Sequence, residues 1–289
     1  MNILVSGGNG QLSKILRRIT KKSDHKFYYF SKKKLDITSM NSLSKTFYKY
    51  RPDYIINNAA LTDVDFCELN PELAFINNSK SLLNIINVCK KYKTKLIHIS
   101  SDYIFSSSSK IIKSTDIAIP ENIYGYSKLL AEKIIMKYYF KHSLIIRPSW
   151  LFSSFGRNFI HHVIHSYRSK NSFTLFDNIS GSPTSCYSLA YLISDLIIQK
   201  DKFMNGIINF NQGKHLSRHQ FAKKIIFILT DLVSQKPQFK IKLDLQKKPI
   251  AKRPSKLFLD NSKLKHYSNL NFLNFEKDLK DTISEIMNH

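Results

Sequence analysis

The sequence predicts an α/β protein, a doubly wound parallel sheet followed by a smaller C-terminal lobe. Short apolar runs typical of buried strands alternate with helix-patterned segments through the first half of the chain. The first such run, Ile3-Leu4-Val5, leads directly into a glycine-rich turn and then into an amphipathic helix. Strand, glycine turn and helix in this order are typical of dinucleotide binding, so we predict a Rossmann-type sheet.

Length and composition bound the class of protein. A chain of 289 residues with 43% hydrophobic composition can bury a large core. It has no apolar run of the roughly 18 residues needed to span a bilayer, so we expect no membrane segment. Cys67, Cys89 and Cys186 are widely spaced without a Cys-x-x-Cys pair, which argues against disulfides and zinc. We therefore expect a cytoplasmic protein.

The formal net charge of +24 raises the alternative of a nucleic-acid partner. The lysines are scattered over every segment, however, and no recognised nucleic-acid module accompanies them. The enrichment in Lys, Asn, Ile, Phe and Tyr together indicates a compositional bias of the whole sequence. We expect no specific nucleic-acid partner, and the same positive field would favour an anionic small substrate.

The glycine turn reads Gly7-Gly8-Asn9-Gly10-Gln11-Leu12. Gly7 allows the tight turn, and Gly10 lets a pyrophosphate approach the N-terminus of the helix. Ser13 stands where a third glycine would allow close helix packing, and its small side chain is a tolerable substitute. The first cofactor-binding candidates are Gly7, Gly10, Gln11 and Leu12.

The end of the second predicted strand, residues 26–30, should lie near the adenosine ribose. An acidic residue there usually binds the 2′-hydroxyl, whereas this chain has Ser31-Lys32-Lys33-Lys34. Basic side chains suit a 2′-phosphate and favour NADPH over NADH; the alternative is a solvated lysine-rich loop. The cofactor candidates in this region are Ser31, Lys32, Asp36 and Ile37.

The third predicted strand, Tyr54-Ile55-Ile56, ends in small and polar residues that leave room for a cofactor. Asn57, Ala59 and Ala60 are therefore candidates. Residues 62–68 are predicted as a loop, followed by one long helix over residues 71–92. Asn78 within that helix is a further candidate, whose carboxamide could brace the backbone of the catalytic strand; an exposed helical asparagine is the alternative.

The fourth predicted strand, residues 96–100, delivers Ser101, Asp102 and Tyr103 to the carboxyl edge of the sheet. Further on, Asn122-Ile123-Tyr124-Gly125-Tyr126-Ser127-Lys128 opens a helix that places Tyr124 and Lys128 on one face. An ammonium one turn from a phenol should lower the phenol pKa, so that Tyr124 could protonate a carbonyl oxygen that receives hydride. Because Tyr and Lys are common in this chain, the spacing can also arise by chance.

The remaining segments suggest how the chain is divided. A strand over residues 143–147 precedes Pro148-Ser149-Trp150, and residues 105–120 are predicted as a mobile loop. We predict a dinucleotide-binding domain over residues 1–168, with residues 185–210 returning to its sheet. Residues 169–289 should then form the smaller, interleaved substrate lobe.

Taken together, these segments resemble the extended short-chain dehydrogenase/reductase family and, within it, the dTDP-4-dehydrorhamnose reductases, over nearly the whole chain. The supporting segments are Asn57-Asn58-Ala59-Ala60-Leu61-Thr62-Asp63-Val64-Asp65, Ile99-Ser100-Ser101-Asp102-Tyr103-Ile104-Phe105, residues 122–128, Arg147-Pro148-Ser149-Trp150, Gly156-Arg157-Asn158-Phe159, Gly181-Ser182-Pro183-Thr184 and Arg253-Pro254 leading to Leu259-Asp260.

The resemblance implies NAD(P)H-dependent reduction of the C4 keto group of dTDP-4-dehydro-L-rhamnose, with Ser101, Tyr124 and Lys128 as the catalytic set. It also implies a small-molecule nucleotide-sugar substrate and leaves a homodimer open. Trp150 would lie beside the substrate, or else pack in the core. Arg147 and Arg253 would help bind or frame the nucleotide diphosphate, or else form internal salt bridges. The expected substrate-binding residues are Asp102, Tyr103, Arg147, Trp150 and Arg253.

Several positions depart from the pattern of that family. Asn58 replaces an alanine, Ile179 a glutamine and Leu257 a serine, while Ser106-Ser107 replaces an acidic-glycine pair. Some members dimerise through a metal held partly by a glutamate where this chain has Ile15. We therefore predict no metal ligand and leave magnesium dependence open.

Two alternatives remain. One is another nucleotide-sugar epimerase or dehydratase, although dehydratases follow the catalytic hydroxyl with an Asp-Glu pair and this chain has Asp102-Tyr103. The other is a non-catalytic subunit resembling the regulatory subunit of methionine adenosyltransferase, which also carries a Ser-Ser-Asp-Tyr segment.

Overall fold

The computed structural model describes residues 1–169, 172–175, 179–198, 203–233, 240–243, 249–266 and 274–288. The strands are β1 (Asn2–Ser6), β2 (Lys26–Tyr29), β3 (Tyr54–Asn57), β4 (Lys95–Ile99), β5 (Ser143–Pro148), β6 (Leu151–Phe152), β7 (Phe173–Leu175), β8 (Ser180–Gly181), β9 (Thr184–Ser185), β10 (Gly206–Phe210), β11 (Leu216–Ser217) and β12 (Ile241–Leu243). The helices are α1 (Gln11–Ile19), α2 (Met40–Tyr50), α3 (Val64–Leu69), α4 (Pro71–Phe75), α5 (Ser81–Tyr92), α6 (Ile123–Tyr138), α7 (Phe159–Arg168), α8 (Cys186–Ile198), α9 (Arg218–Val233) and α10 (Phe275–Met287).

Six parallel strands form the central sheet in the order β10-β5-β4-β3-β1-β2. More than half of their buried residues are Ile, Leu and Val, as expected for strands covered on both faces. The order reverses at β1, where β2 lies on one side and β3 on the other. The parallel pairing and this reversed strand order confirm the predicted doubly wound architecture. Ligands of open α/β sheets bind in the crevice at such a reversal.

Helices cover the sheet in two layers. One face is packed against α1 and α8, whose buried residues include Leu16 and Leu189. The other face is packed against α2, α5 and α6, through residues such as Phe47 and Ile86. The amphipathic pattern of each helix thus buries one stripe against the strands and leaves the opposite stripe in solvent.

A second core lies outside the sheet. Helices α7, α9 and α10 pack around the ring of Phe152, which contacts the rings of Phe221 and Phe275 at centroid distances of 6.0 Å each. Short pairs of strands, β6 with β9, β7 with β12 and β8 with β11, accompany these helices. The division of the chain at residue 168 stays a prediction.

Two local predictions are wrong. Residues 62–68 are not a loop throughout, because the Asp63 carboxylate caps α3 by accepting a hydrogen bond from the Phe66 amide at 3.0 Å. The long helix over residues 71–92 is divided by a π-helical turn, Ile76–Lys80, between α4 and α5. The wider turn is a common feature of functional sites, and here it contains the buried Asn78.

The loop over residues 105–120 is tied to a late segment of the chain. The Ile112 amide donates to the Phe258 carbonyl at 2.7 Å, and the Ile112 carbonyl accepts from the Asp260 amide at 2.8 Å and from the Asn209 side chain at 3.0 Å. These bonds anchor the middle of the loop, and the mobility expected from the serine run stays a prediction. Across the described ranges, no helix combines the length and the apolar character required of a membrane span.

Candidate active site

Two adjoining cavities open at the carboxyl ends of the strands. The first, of about 300 Å³, lies over the glycine turn and extends to Ser31 and Ile37. The second, of about 480 Å³, brings together Ser101, Tyr124 and Lys128. Gly10, Asn58 and Ala60 line both cavities and therefore mark their junction.

The glycine turn has the shape of a cradle for a pyrophosphate. Gly7 has a φ of +65°, and a Cβ atom there would lie 2.7 Å from the Asn58 carbonyl oxygen, so only glycine fits. Gly10 precedes α1 and provides no side-chain cap. The first N–H groups of α1 are therefore available to an anion, as in other dinucleotide sites. The predicted residues Gly7, Gly10, Gln11 and Leu12 all line one or both cavities.

The charged residues that line the first cavity are one lysine and one aspartate. The predicted cofactor candidates Ser31, Lys32, Asp36 and Ile37 line it, and the Lys32 ammonium lies 3.4 Å from the Asn77 side-chain oxygen. The Asp36 carboxylate accepts hydrogen bonds from the Thr38 hydroxyl at 2.7 Å and the Thr38 amide at 2.9 Å. Partial burial opposes ionisation, but these bonds hold the pKa of Asp36 below its ordinary value. The carboxylate is thus engaged within its own turn.

Tyr124 occupies the floor of the second cavity. The Asn122 side chain caps α6 by accepting from the Gly125 amide at 2.8 Å, which places Tyr124 in the first turn. Burial raises the pKa of Tyr124, and a hydrogen bond with Ser101 only partly offsets this rise. The expectation that Lys128 lowers this pKa is therefore wrong for this structure, because desolvation dominates.

Tyr103 lies behind Tyr124 and does not line the cavity. The two rings meet edge to face at a centroid distance of 5.9 Å. Gly125 lies so close to the Tyr103 carbonyl oxygen that a Cβ atom there would be 2.1 Å from it. We therefore correct the prediction that Tyr103 binds substrate: it fixes the ring of Tyr124 and the start of α6.

Ser101 and Asp102 form a hydrogen-bonded pair at the end of β4. The Ser101 hydroxyl donates to the Asp102 carboxylate at 3.2 Å, and the Ser149 hydroxyl donates to the second carboxylate oxygen at 2.7 Å. Burial raises the pKa of Asp102 to about 6, and the two hydroxyl donors oppose this rise. Both residues line the second cavity, in agreement with the predicted positions.

Lys128 lies one turn beyond Tyr124 and is fully buried. Its ammonium donates to the Ile99 carbonyl at 2.7 Å and lies 3.4 Å from Nε2 of His98. Burial lowers the pKa of Lys128 to about 8, and the charge of Glu132 opposes this change. The ammonium is thus held at the end of β4, beside the cavity.

Arg147 does not reach the cavity, so its predicted contact with the substrate is wrong. It forms a buried ion pair with Glu132, with an N–O distance of 2.6 Å. Glu132 also accepts from the Ser100 hydroxyl, and Arg147 donates to the Ser114 carbonyl at 3.0 Å. A guanidinium with these partners is the internal salt bridge that we left as the alternative.

Arg253 is also held away from the second cavity. Its guanidinium donates to both carboxylate oxygens of Asp65, at 2.8 Å and 3.0 Å, and so ties a late loop to α3. Asp65 also accepts from the Ala251 amide at 2.9 Å. Arg253 does not line the second cavity, and its pair with Asp65 is the internal salt bridge that we left as the alternative.

Trp150 does line the cavity, and its backbone is unusual. Its φ of +37° is rare for a residue with a side chain, and such conformations concentrate at functional sites. The indole packs so closely on Gly181 that a Cβ atom there would lie 2.5 Å from the ring. The guanidinium of Arg218 lies 5.6 Å from the ring centroid. Gly181, in the turn predicted at residues 181–184, thus leaves space for the indole of Trp150.

Asn78 supports the site from below. Its oxygen accepts from the Leu61 amide at 2.8 Å, and its nitrogen donates to the Leu61 carbonyl at 3.0 Å and the Ser127 hydroxyl at 2.9 Å. Asn78 is buried, so it is not the exposed helical asparagine that we gave as the alternative. It also lines neither cavity, so it does not contact the cofactor directly. Its carboxamide braces the loop after β3, and not the catalytic strand, against α6.

Asn57 is also a support. It is buried between Ser6 and His98 and lines neither cavity, whereas Ala59 and Ala60 line the first cavity as predicted. Within the described ranges, no group of three or more His, Cys, Asp and Glu side chains is placed to hold a metal ion.

The geometry agrees with one known family of proteins. The model of the RmlD substrate binding domain matches residues 1–288. The chain belongs to this family. The resemblance predicted from the sequence is therefore confirmed.

Several known proteins are similar to this chain over most of its length. The spore coat polysaccharide biosynthesis protein SpsK of Bacillus subtilis is 30% identical over 78% of this chain and 78% of that protein. The dTDP-4-dehydrorhamnose reductase of Aggregatibacter actinomycetemcomitans is 27% identical over 96% of this chain and 97% of that protein. A crystal structure of dTDP-4-dehydrorhamnose reductase from Bacillus anthracis, in complex with NADP, has a TM-score of 0.87 and 27% identity, and the match covers 98% of each chain.

Several residues that line the second cavity were not among the predicted site residues, and three of them bear on the function. Asn58 was noted only as a departure from the family pattern, yet it lines both cavities. Arg157 lies in a segment used for the resemblance, so its position in sequence could have indicated it. Arg218 begins α9, and nothing in its local sequence indicates that this helix faces the strand ends.

Proposed function

We propose that this protein reduces the C4 keto group of dTDP-4-dehydro-L-rhamnose with NADPH. The observation that carries the proposal is the meeting of Ser101, Tyr124 and Lys128 in a cavity that adjoins the glycine-turn cavity through Asn58. Similar proteins that cover nearly the whole chain are named dTDP-4-dehydrorhamnose reductase. When bound, NADPH supplies the hydride that reduces the keto carbon.

Reduction of a ketone needs a proton donor and a means to stabilise the developing alkoxide. Because burial raises the pKa of Tyr124, its phenol keeps its proton at neutral pH and can give it to the alkoxide oxygen. The Ser101 hydroxyl, whose bond to Asp102 is a long 3.2 Å, can turn to donate a hydrogen bond to the same oxygen. Lys128, one helical turn from the phenol and in the lining of the same cavity, would hold the nicotinamide ribose of the bound cofactor.

The residues present suit a dinucleotide with a phosphorylated ribose. The open N-terminus of α1 and the Gly7 cradle would hold the pyrophosphate. Lys32 and Ser31 on the rim of the first cavity would hold the 2′-phosphate, and no acidic residue at the end of β2 opposes it. The preference for NADPH over NADH is part of the proposal.

The substrate would lie in the second cavity, beside the catalytic residues. Trp150 provides an apolar face, and Arg157 and Arg218 bring two guanidinium groups to the same cavity. Guanidinium groups bind phosphates in a bidentate manner, so we assign the diphosphate of the nucleotide sugar to these two residues. They take the place first given to Arg147 and Arg253.

The alternatives are weaker on structural grounds. A dehydratase would need an acid where this chain has Tyr103, and the ring of Tyr103 is packed on Tyr124. An epimerase of the same fold, such as the Thermus thermophilus enzyme at 14% identity, shows only the shared architecture. A non-catalytic subunit would not need a buried Lys128 beside a protonated Tyr124. We also place the protein in the cytoplasm, consistent with three buried free cysteines; the homodimer stays a prediction.

Single-turnover reduction of the 4-keto sugar tests the proposal. Tyr124→Phe should lower the rate by about 10² to 10⁴-fold, since general acid catalysis contributes this much, while NADPH affinity stays nearly unchanged. Tyr126→Phe is the matched control, because Tyr126 lies on the same helix but is 48% exposed. An unmodified protein that binds NADPH without reducing the sugar would support the non-catalytic alternative.

A further inference from the structure

A chain of buried polar side chains leads away from the catalytic lysine into the sheet. Lys128 Nζ lies 3.4 Å from His98 Nε2, and His98 Nδ1 lies 3.1 Å from the Asn57 side-chain nitrogen. The Asn57 oxygen accepts from the Ser6 hydroxyl at 2.7 Å. The chain thus crosses from α6 to β4, β3 and β1, and all four residues are buried. Of the four, only Lys128 lines the catalytic cavity.

The direction of these hydrogen bonds depends on the charge of Lys128. With the Asn57 oxygen on Ser6, the Asn57 nitrogen donates to Nδ1 of His98. Neutral His98 then carries its proton on Nε2 and donates toward Lys128, which can accept only as a neutral amine. If the Asn57 carboxamide turns end for end, Nδ1 of His98 donates to its oxygen and Nε2 accepts from the lysine ammonium.

His98 itself does not take up the charge. Burial first, and then the charge of Lys128, hold the pKa of His98 well below its ordinary value. The ring therefore stays neutral, and it can respond to the charge of Lys128 only by changing the nitrogen that carries its proton. The titratable and charged groups near Lys128 are His98 on β4, Tyr124 and Glu132 on α6 and Asp102 after β4, and Arg157 and Arg218 line the same cavity.

Glu132 is largely neutralised by a partner of its own. Its carboxylate pairs with Arg147 and accepts from Ser100, so its charge is shared. His98 is then the nearest neutral group that can accept a hydrogen bond from Lys128 besides the Ile99 carbonyl. The neutral ring of His98 has one lone pair and one N–H, and Asn57 bonds its far nitrogen. It can therefore accept a hydrogen bond from the charged lysine or donate one to the neutral lysine.

We propose that His98 is a positioning residue for Lys128, and that its tautomer switches with the protonation state of that lysine through the chain of Asn57 and Ser6. The charged lysine selects the Nδ1–H tautomer, and the neutral lysine selects the Nε2–H tautomer. The net change is the loss of one proton from Lys128; the ring keeps one proton throughout. The catalytic consequence rests on the proposed function, but the tautomer switch does not.

Nuclear magnetic resonance of the full chain tests the switch without turnover. Histidine labelled with ¹⁵N reports the tautomer, lysine labelled at ¹³Cε reports the charge of Lys128, and His98→Gln assigns the ring among the ten histidines. Between about pH 6 and pH 10, His98 should change from Nδ1–H to Nε2–H with the midpoint of Lys128. Lys128→Met should hold His98 in one tautomer. A ring that keeps one tautomer while Lys128 titrates, or that becomes charged, would overturn the proposal.

The pH dependence of kcat tests the consequence for the reaction. His98→Leu removes an acceptor for the ammonium, so the alkaline limb should move down by about one pH unit. His98→Gln keeps a polar acceptor and should move it by much less. If His98→Leu lowers only the stability and leaves the alkaline limb in place, the residue is structural and the inference is wrong. Absence of turnover in the unmodified protein would refute the proposed function and leave the spectroscopic result intact.

Discussion

The side-chain nitrogen of Asn58 donates a hydrogen bond of 2.9 Å to the hydroxyl of Ser13. Ser13 is buried in the first turn of α1, where a third glycine would be expected, and Asn58 stands where an alanine would be expected. The two departures therefore compensate for each other. Their bond ties the glycine turn to the loop after β3, directly at the junction of the two cavities.

A double-mutant cycle measures this coupling. Ser13→Ala and Asn58→Ala should each lower the free energy of unfolding by about 0.5 to 1.5 kcal/mol, the usual net value of a hydrogen bond. The double variant should lose little more than either single variant, because both remove the same bond. Urea unfolding gives the three values. Strictly additive losses would show that the two side chains act independently.

Cofactor preference should depend on the lysines that follow β2. Replacing Lys32 and Lys33 together by alanine should weaken NADPH binding by about tenfold or more and leave NADH binding nearly unchanged, because only NADPH carries the 2′-phosphate. Titration of both reduced cofactors provides the measurement. Replacing Lys45 and Lys49 together by alanine, on the exposed side of α2, is the charge-matched control. Tighter binding of NADH by the unmodified protein would contradict the assignment.

The hydroxyl of Ser101 should matter more than its size. Ser101→Ala should slow single-turnover reduction by about 10² to 10³-fold, the typical cost of losing one oxyanion donor. Ser101→Thr retains the hydroxyl and should keep most of the rate. Affinity for NADPH should be the same in both variants, which separates the loss of a donor from a loss of folding. Equal rates for the alanine and threonine variants would remove Ser101 from the catalytic set.

The buried pair of Glu132 and Arg147 should be important for stability. Glu132→Gln leaves the guanidinium buried without its counter-ion, so the free energy of unfolding should fall by about 3 to 5 kcal/mol. Asp281→Asn is the control, because it breaks the ion pair between Lys277 and Asp281, whose side chains are 69% and 57% exposed, respectively. The free energy of unfolding should change little in this variant. Chemical unfolding at neutral pH compares the two. Similar small losses would mean that Arg147 finds other partners.

Asp102 should make stability depend on pH. Its pKa is raised from 3.8 to about 6, so between these values the folded chain holds a proton that the unfolded chain has released. Stability attributable to this carboxyl therefore falls as the pH rises through this window. Asp102→Asn removes the effect, so relative to the unmodified protein it should gain about 1 to 3 kcal/mol between pH 4 and pH 7. Unfolding at both pH values measures the gain; a constant difference would contradict the raised pKa.

Residues that depend on local spacing were predicted well. Tyr124 and Lys128 are related by one helical turn, and Ser101 follows a buried strand, so simple geometry places all three at one edge of the sheet. Strand and helix bounds that follow apolar periodicity agree with the structure within a few residues. The π-helical turn at Asn78 has no such signature, because its neighbours are patterned like any helix.

Residues that depend on distant partners were not predictable in the same way. Whether Arg147 faces the substrate or Glu132 is decided by the packing of α6 on β5, which spacing along the chain does not encode. Arg218 illustrates the reverse case, since only the folding of α9 back over the strand ends brings it to the cavity. The pKa of Tyr124 belongs to the same class, because it depends on the depth of burial and not on the Tyr-x-x-x-Lys spacing.

The late arrival of β10 in the central sheet has a consequence for synthesis. β5 can pair with β10 only after residues 206–210 have been synthesised. Until then, residues 144–148 form an unpaired and largely apolar edge of the sheet. Such an edge can pair with the same strand of another nascent chain. Truncation before Gly206 should therefore yield aggregates joined through β5, and full-length chains should depend on prompt docking of this last strand to remain apart.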